Sequence, residues 1–444
     1  MEVAKVMMGK LLGAFAFAML LAHGSGAQTS PEAYRAQIGI YYRNAASLQQ
    51  LGDFRAAIRE YEQALQLQRH WHDQKGESLT LMAIGDVYLF RLHQPGHALE
   101  YYQQSLDLKR LIKDRKGEAD VLNQMAYAHY LSGRFALARQ LYEQVMELVR
   151  RKKNRYARGT ALNGLGNCEL AEGRPDKALA YYQKALPVRK KAKHRQGVAN
   201  TIYNMGRASV ALGRFDDAYR YYHRALEMRR TLLDLEAQAV TLIALGRTAV
   251  QLGRLREARS CYVEAATLGR RIKNDRVEMA GLTGAGSVSL KLDEPEMARQ
   301  FLARALPLCQ KLSRPRIEEA IRAQLGAAYY ALKQYDRAIE EHRRALRLAR
   351  QLKDARAVGE LLFSLGQIHF VLGRRPQSLA CLQQATKILE PMASPLLADV
   401  AQLLDRFQRE LGPERFQQLK RDVDAHGLAY LYQATGILDW EPER

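Results

Sequence analysis

The side chains in this sequence whose type and placement suggest chemistry are amides and guanidinium groups, and the chemistry is recognition. Asn123, Asn163, Asn167, Asn200 and Asn204 occupy the middle of the chain, with Tyr127 and Tyr203 among them and Arg207 and Arg247 after them. A carboxamide bonds a peptide backbone through both donor and acceptor, and a guanidinium grips a carboxylate with two prongs. Groups suited to bond-making are scattered instead. The sequence contains no His-Glu-x-x-His, no phosphate-binding loop and no Gly-x-Ser-x-Gly. His93 and His97 stand four apart, but Pro95 between them breaks the helical face a metal pair needs. Cys168, Cys261, Cys309 and Cys381 form no Cys-x-x-Cys pair, which argues against metal and redox roles. The expectation is a chain with no catalytic residues, no metal and no cofactor.

The candidate binding groups recur because the sequence does. In steps of forty, one position reads Gly166, Gly206, Gly246, Gly286, Gly326 and Gly366. Twelve residues past it the series is Ala138, Ala178, Ala218, Ala258, Ala298, Ala338 and Ser378, continued upstream by Ala98 and, after one step of 41, Ala57. Four further on stand Tyr61, Tyr102, Tyr142, Tyr182, Tyr222 and Tyr262, then Leu302, His342 and Leu382. Nine units at one period announce a solenoid. Residues three and four apart share a helix face, so Ala178, Tyr182, Ala185 and Leu186 form the buried stripe of each unit's second helix. Gly166 and Ala178 are small because helix axes about 8–10 Å apart leave no space for larger side chains where they cross. Glycines in Leu51-Gly52-Asp53 and Leu212-Gly213-Arg214 supply the left-handed residue that ends a first helix. At 444 residues, 47% hydrophobic and 26% charged, the chain is neither disordered nor a membrane bundle.

Leu325-Gly326 with Tyr329, followed by Ala338, resembles the tetratricopeptide pattern of Leu-Gly-x2-Tyr and Ala-x3-Phe, and Leu165-Gly166, Leu245-Gly246 and Leu365-Gly366 match its first half. The chain therefore resembles tetratricopeptide repeat proteins over roughly residues 34 to 394. The period is longer than the usual 34 residues, and the proline that closes the second helix is replaced by Arg150, Lys190, Arg230, Arg270 and Arg350. The longer unit is similar to those of kinesin light chains and of Leu-Gly-Asn adaptors. The resemblance implies an all-α, right-handed solenoid whose first helices line a concave, peptide-binding face. It also implies that residues three before and one after the recurrent Gly point into that groove. Those positions read Tyr42, Met82, Asn123, Asn163, Tyr203 and Ile243, then Ala46, Asp86, Tyr127, Asn167, Arg207 and Arg247. Asn200 and Asn204 neighbour the same face. Later units offer only Thr283, Ser287, Ala323 and Ala327, which places the site between repeats two and six.

The ends read differently. Residues 1–27 carry Lys5 and Lys10, the apolar run Leu11 to Ala22, and Ser25-Gly26-Ala27 before a cut, the layout of a secretory signal. The run falls short of the roughly 20 residues a spanning helix needs. Export to a periplasmic or extracellular space follows, with anchoring by an uncleaved segment as the alternative and no membrane span once the signal is removed. Residues 28–394 form the array. Residues 395–444 form a helical cap, with one helix to about Glu410, a break at Leu411-Gly412-Pro413, a second to near Ala425, and an aromatic, acidic tail.

The net charge of +21 gathers at the ends of second helices, as in Arg150-Arg151-Lys152-Lys153, Arg189-Lys190-Lys191, Arg229-Arg230 and Arg270-Arg271. Two readings result. The first is a non-enzymatic scaffold that holds a peptide of a partner protein, acidic partners included, in its groove. The second is a basic ridge that binds polyanions, whether acidic protein, lipid head groups or nucleic acid, the last disfavoured because no nucleic-acid fold motif is present.

Overall fold

The computed structural model describes residues 30–150 and 154–437, and among them every regular element is helical. The signal reading at residues 1–27, Arg151 to Lys153 of one basic cluster and the acidic end of the tail lie outside the described residues. The chain divides into two compact units, Met1–Arg214 and Phe215–Arg444.

The first unit contains α1 (Pro31–Gln50), α2 (Phe54–His70), α3 (Gln74–Phe90), α4 (Pro95–Leu111), α5 (Arg115–Leu131), α6 (Phe135–Leu148), α7 (Arg155–Ala171), α8 (Pro175–Lys191) and α9 (Arg195–Ala211). The second contains α10 (Phe215–Thr231), α11 (Leu235–Gln251), α12 (Leu255–Arg271), α13 (Asp275–Lys291), α14 (Pro295–Lys311), α15 (Pro315–Ala331), α16 (Tyr335–Gln351), α17 (Ala355–Val371), α18 (Arg375–Leu389), α19 (Leu397–Leu411) and α20 (Pro413–Thr435). Helices α1 to α18 are the nine sequence units taken two at a time. Within each unit every helix packs on its neighbours in sequence, and first helices also meet their counterparts: α5 on α7 and α7 on α9 in one unit, α11 on α13 and α13 on α15 in the other. Second helices make no comparably close approach to one another. The first helices therefore line the tighter, inner side of each stack, as in other α-solenoids.

Local sequence sets the helix ends. Asp53, Asp73, Asp114, Asn154, Asp234, Asn274 and Asp354 each accept the backbone N–H three residues on, satisfying a donor the helix start leaves open. Gly52 and Gly213 take φ of 82° and 70°, the left-handed turn expected of them. Between repeats the same conformation falls on larger residues, among them Leu233 at φ 56°.

Ala178, Tyr182 and Ala185 are fully buried. The second helices continue to Lys191 and Arg271, past the point where the usual proline would stop them. The cap departs from expectation. Helix α20 runs ten residues beyond Ala425, through a kink at His426 (φ −122°, ψ 15°), because Leu431 and Ala434 find buried places against the last repeat. Arg343 on α16 holds its end, donating from Nε to the Ala434 carbonyl at 2.9 Å. No helix among the described residues is long and apolar enough to cross a membrane.

Candidate functional site

The recurrent glycine is the seat of the recurrent ring. A Cβ placed on Gly85 would stand 2.5 Å from Cε1 of Tyr102, and one on Gly166 the same distance from Cε1 of Tyr182. Leu302 sits over Gly286, His342 over Gly326 and Leu382 over Gly366 in the same way. The ring thus crosses the first helix from behind, and its hydroxyl emerges beside the residue one past the glycine. Tyr102 donates to Asp86 Oδ1 at 2.7 Å, and Tyr182 to Asn167 Oδ1 at 2.8 Å. Each of these acceptors takes a second bond from the following repeat: Gln124 Nε2 to Asp86 at 3.1 Å, and Asn204 Nδ2 to Asn167 at 3.1 Å. The result is a polar clasp that joins one first helix to the next.

The residues expected to face a ligand divide accordingly. Asn123, Asn163 and Asn204 are buried. Asn123 donates to the Ala157 carbonyl at 3.2 Å. Asn163 accepts from the Thr201 hydroxyl at 3.2 Å and lies 3.4 Å from Asn204 Nδ2. These three amides spend bonds on neighbouring helices. Asn167 and Tyr127 are partly exposed, as is Tyr203, while Asn200 and Arg207 are exposed. Arg207 lies close enough for its charge to oppose the burial that raises the phenol pKa of both Tyr127 and Tyr182. The structure therefore brings Tyr127, Asn167, Tyr182 and Arg207 to one side of the first unit. Arg247, exposed in the second unit, stands in the same register toward Tyr262.

Other aromatic groups share the face in the first unit without having been expected there. Phe90 stacks on Tyr127 at 5.9 Å and Tyr127 on Tyr130 at 6.1 Å. Tyr130 lies one helical turn from Tyr127, and that spacing was the available signal.

The basic clusters at the ends of second helices differ from the expected ridge. Arg189 and Arg229 are buried. Arg189 donates to the Gly197 carbonyl at 2.7 Å and to Thr201 at 2.8 Å, and Arg229 reaches Ala237 and Thr241 in the next first helix. Burial brings the Arg189 pKa down to about 10, still cationic at neutral pH. Arg230 pairs with Glu264 at 2.7 Å and Arg270 with Glu278 at 2.8 Å. Arg189, Arg229, Arg230 and Arg270 thus pin one repeat to the next. The thiols are poor nucleophiles, since burial pushes Cys168 and Cys261 up to about 11 and Cys381 to about 12.

With this geometry in hand, comparison with known proteins identifies the class. The tetratricopeptide repeat profile matches residues 37–110, 117–191, 197–271 and 317–390, more than half of the chain. The chain belongs to the tetratricopeptide repeat family. Among solved structures it is similar to a signal transduction ATPase with numerous domains carrying a tetratricopeptide repeat sensor, from Pyrococcus horikoshii. That match has 15% identity and a TM-score of 0.63 over 83% of this chain and 54% of the other, so this chain spans about half that protein's length. It is also similar to the apo quorum sensor NprR from B. thuringiensis, at 14% identity and TM-score 0.49 over 81% of this chain and 99% of that one. A search of curated proteins finds no match.

Proposed function

We propose that this chain is a non-enzymatic interaction scaffold that holds a segment of a partner protein along the inner face of its first helices. Tyr127, Asn167, Asn200, Tyr203 and Arg207 are its contact side chains in the first unit, and Arg247 repeats the Arg207 position in the second. Asn123, Asn163 and Asn204 hold the backbone of the face in place from behind. The observation that carries this reading is Arg207: an exposed guanidinium beside two tyrosines, on a register whose neighbours Asp86 and Asn167 are fixed by clasps. A guanidinium so placed suits a carboxylate of the bound segment.

The test is an array of random dodecapeptides probed with the full chain at low and moderate salt. Peptides should be held at both, and Arg207→Glu should release those carrying Asp or Glu. An array without signal, or one indifferent to Arg207→Glu, overturns the reading. Signal that collapses at moderate salt is the behaviour of an exposed basic surface instead. We also propose that the chain works outside the cytoplasm after a cut following Ala27. N-terminal sequencing that begins at Gln28 supports export, and an intact Met1 form in the cytoplasm overturns it.

A further inference from the structure

In the first unit a cavity of about 300 Å³ opens between α1, α2 and α3, lined by Gln49, Tyr61, Ala83, Asp86, Phe90 and Arg91. Its chemistry is the reverse of the chain's overall charge of +21. Asp86 is half-buried and forms no ion pair among the described residues. Both of its hydrogen bonds, from Tyr102 and Gln124, fall on Oδ1. A carboxylate has two oxygens able to accept, and Oδ2 takes no bond among the described residues, yet is not sealed from solvent. Burial raises the Asp86 pKa, and the hydrogen bonds from Tyr102 and Gln124 oppose that. An anion desolvated in this way gains more from a partner cation than one in open water. The walls suit such a cation as well. The Phe90 ring is 42% exposed, the kind of surface to which ammonium and guanidinium groups are drawn, and Tyr61, itself buried, lines the cavity with it.

We propose that this cavity receives a lysine or arginine side chain of the segment bound along the inner face, with Asp86 Oδ2 as its counter-charge and Tyr61 and Phe90 as its walls. The proposal rests on the peptide-binding reading above and gives the peptide a direction. Asp86 and Arg207 occupy the same register three repeats apart. Three steps of about 9 Å between neighbouring first helices correspond to roughly eight residues of extended chain. The preferred segment therefore carries a basic residue at one end and an acidic one about eight positions away.

A displayed random dodecapeptide library, panned against the full chain, against Asp86→Asn and against Phe90→Leu, tests this. Asparagine keeps an oxygen for Tyr102 and Gln124, so the clasp survives. Sequences enriched on the unaltered chain should contain Lys or Arg, and replacing that residue by norleucine should weaken binding about tenfold. Asp86→Asn should abolish that tenfold preference while Arg207-dependent binding of the acidic residue persists, and Phe90→Leu should weaken the basic peptides several-fold. A motif without a basic residue, or an undiminished preference for one on Asp86→Asn, overturns the inference and leaves the groove reading standing. If thermal melting shows Asp86→Asn unfolded, Phe90→Leu decides, and unchanged binding of basic peptides there overturns the inference. No enriched sequence on the unaltered chain overturns both.

Discussion

An added methyl carbon at Gly166 would stand 2.5 Å from the Tyr182 ring, whereas at Gly246 it would meet the Tyr262 ring at 3.0 Å. The first ring must move and strain its bond to Asn167; the second needs only a small shift. Gly166→Ala should therefore destabilise by about 1–3 kcal/mol and Gly246→Ala by less, as read from urea unfolding midpoints; the opposite order would contradict the seat described here. His342 takes a ring position that leucine fills at 302 and 382. Burial holds the imidazoles of His342 and His369 down to about 4, below the usual 6.5 of histidine. The unfolded chain then takes up protons first, so their stabilisation is complete above about pH 6.5 and is lost as the pH falls toward 4. Denaturation midpoints measured across that range should fall with pH, and His342→Leu should flatten the slope. At this scale the sequence was partly legible. Ring and glycine stood out because a ring four residues beyond a small one fixes a helix face. The burial of Asn123, Asn163 and Asn204 did not, since a polar residue on the inner face reads alike whether its amide meets water or the next helix.

Helix ends were easier to read where glycine marks them than where it does not. Leu233 holds a left-handed backbone while 81% exposed, so its side chain gains little from packing. Left-handed backbone costs a non-glycine residue about 1 kcal/mol, partly offset by the greater freedom of glycine in the unfolded chain. Leu233→Gly should raise stability by roughly 0.5 kcal/mol, measurable as a higher unfolding midpoint; a lower midpoint would contradict that balance. The second cap helix extends past the expected end near Ala425, through Asp424-Ala425-His426-Gly427, a stretch whose glycine would suit a stop. The kink absorbs that stop, and Leu431 and Ala434 carry the helix on. The ends of second helices misled for a related reason. Arg189 and Lys190 are adjacent in sequence but lie on different faces, one against Thr201 and the other exposed.

Across the whole molecule the apolar core is uneven. The last repeats and the cap share one large cluster that includes Leu346, Leu362, Leu382, Phe407 and Leu431, while α1 to α3 share a smaller one around Ala57, Tyr61 and Ile84. In a stack stabilised between neighbours, opening proceeds from weak couplings. Amide hydrogen exchange should therefore be slowest in α17 and α18 and faster in α1 and α2; equal protection throughout would contradict this. The period, and with it the fold of the array, was legible over roughly residues 34 to 394 because every unit repeats the same packing problem. What each unit offers a guest was less so, because it depends on which atoms the neighbouring unit has already claimed. The clasps have one more consequence. Asp86 and Asn167 each serve as a socket for an amide supplied by the following block, so a forty-residue block copied into the array would bring its own socket but would have to match the plug of its successor. Lengthening this protein by duplication is therefore a problem of matching partners at the seams, with the interior of each block free to vary.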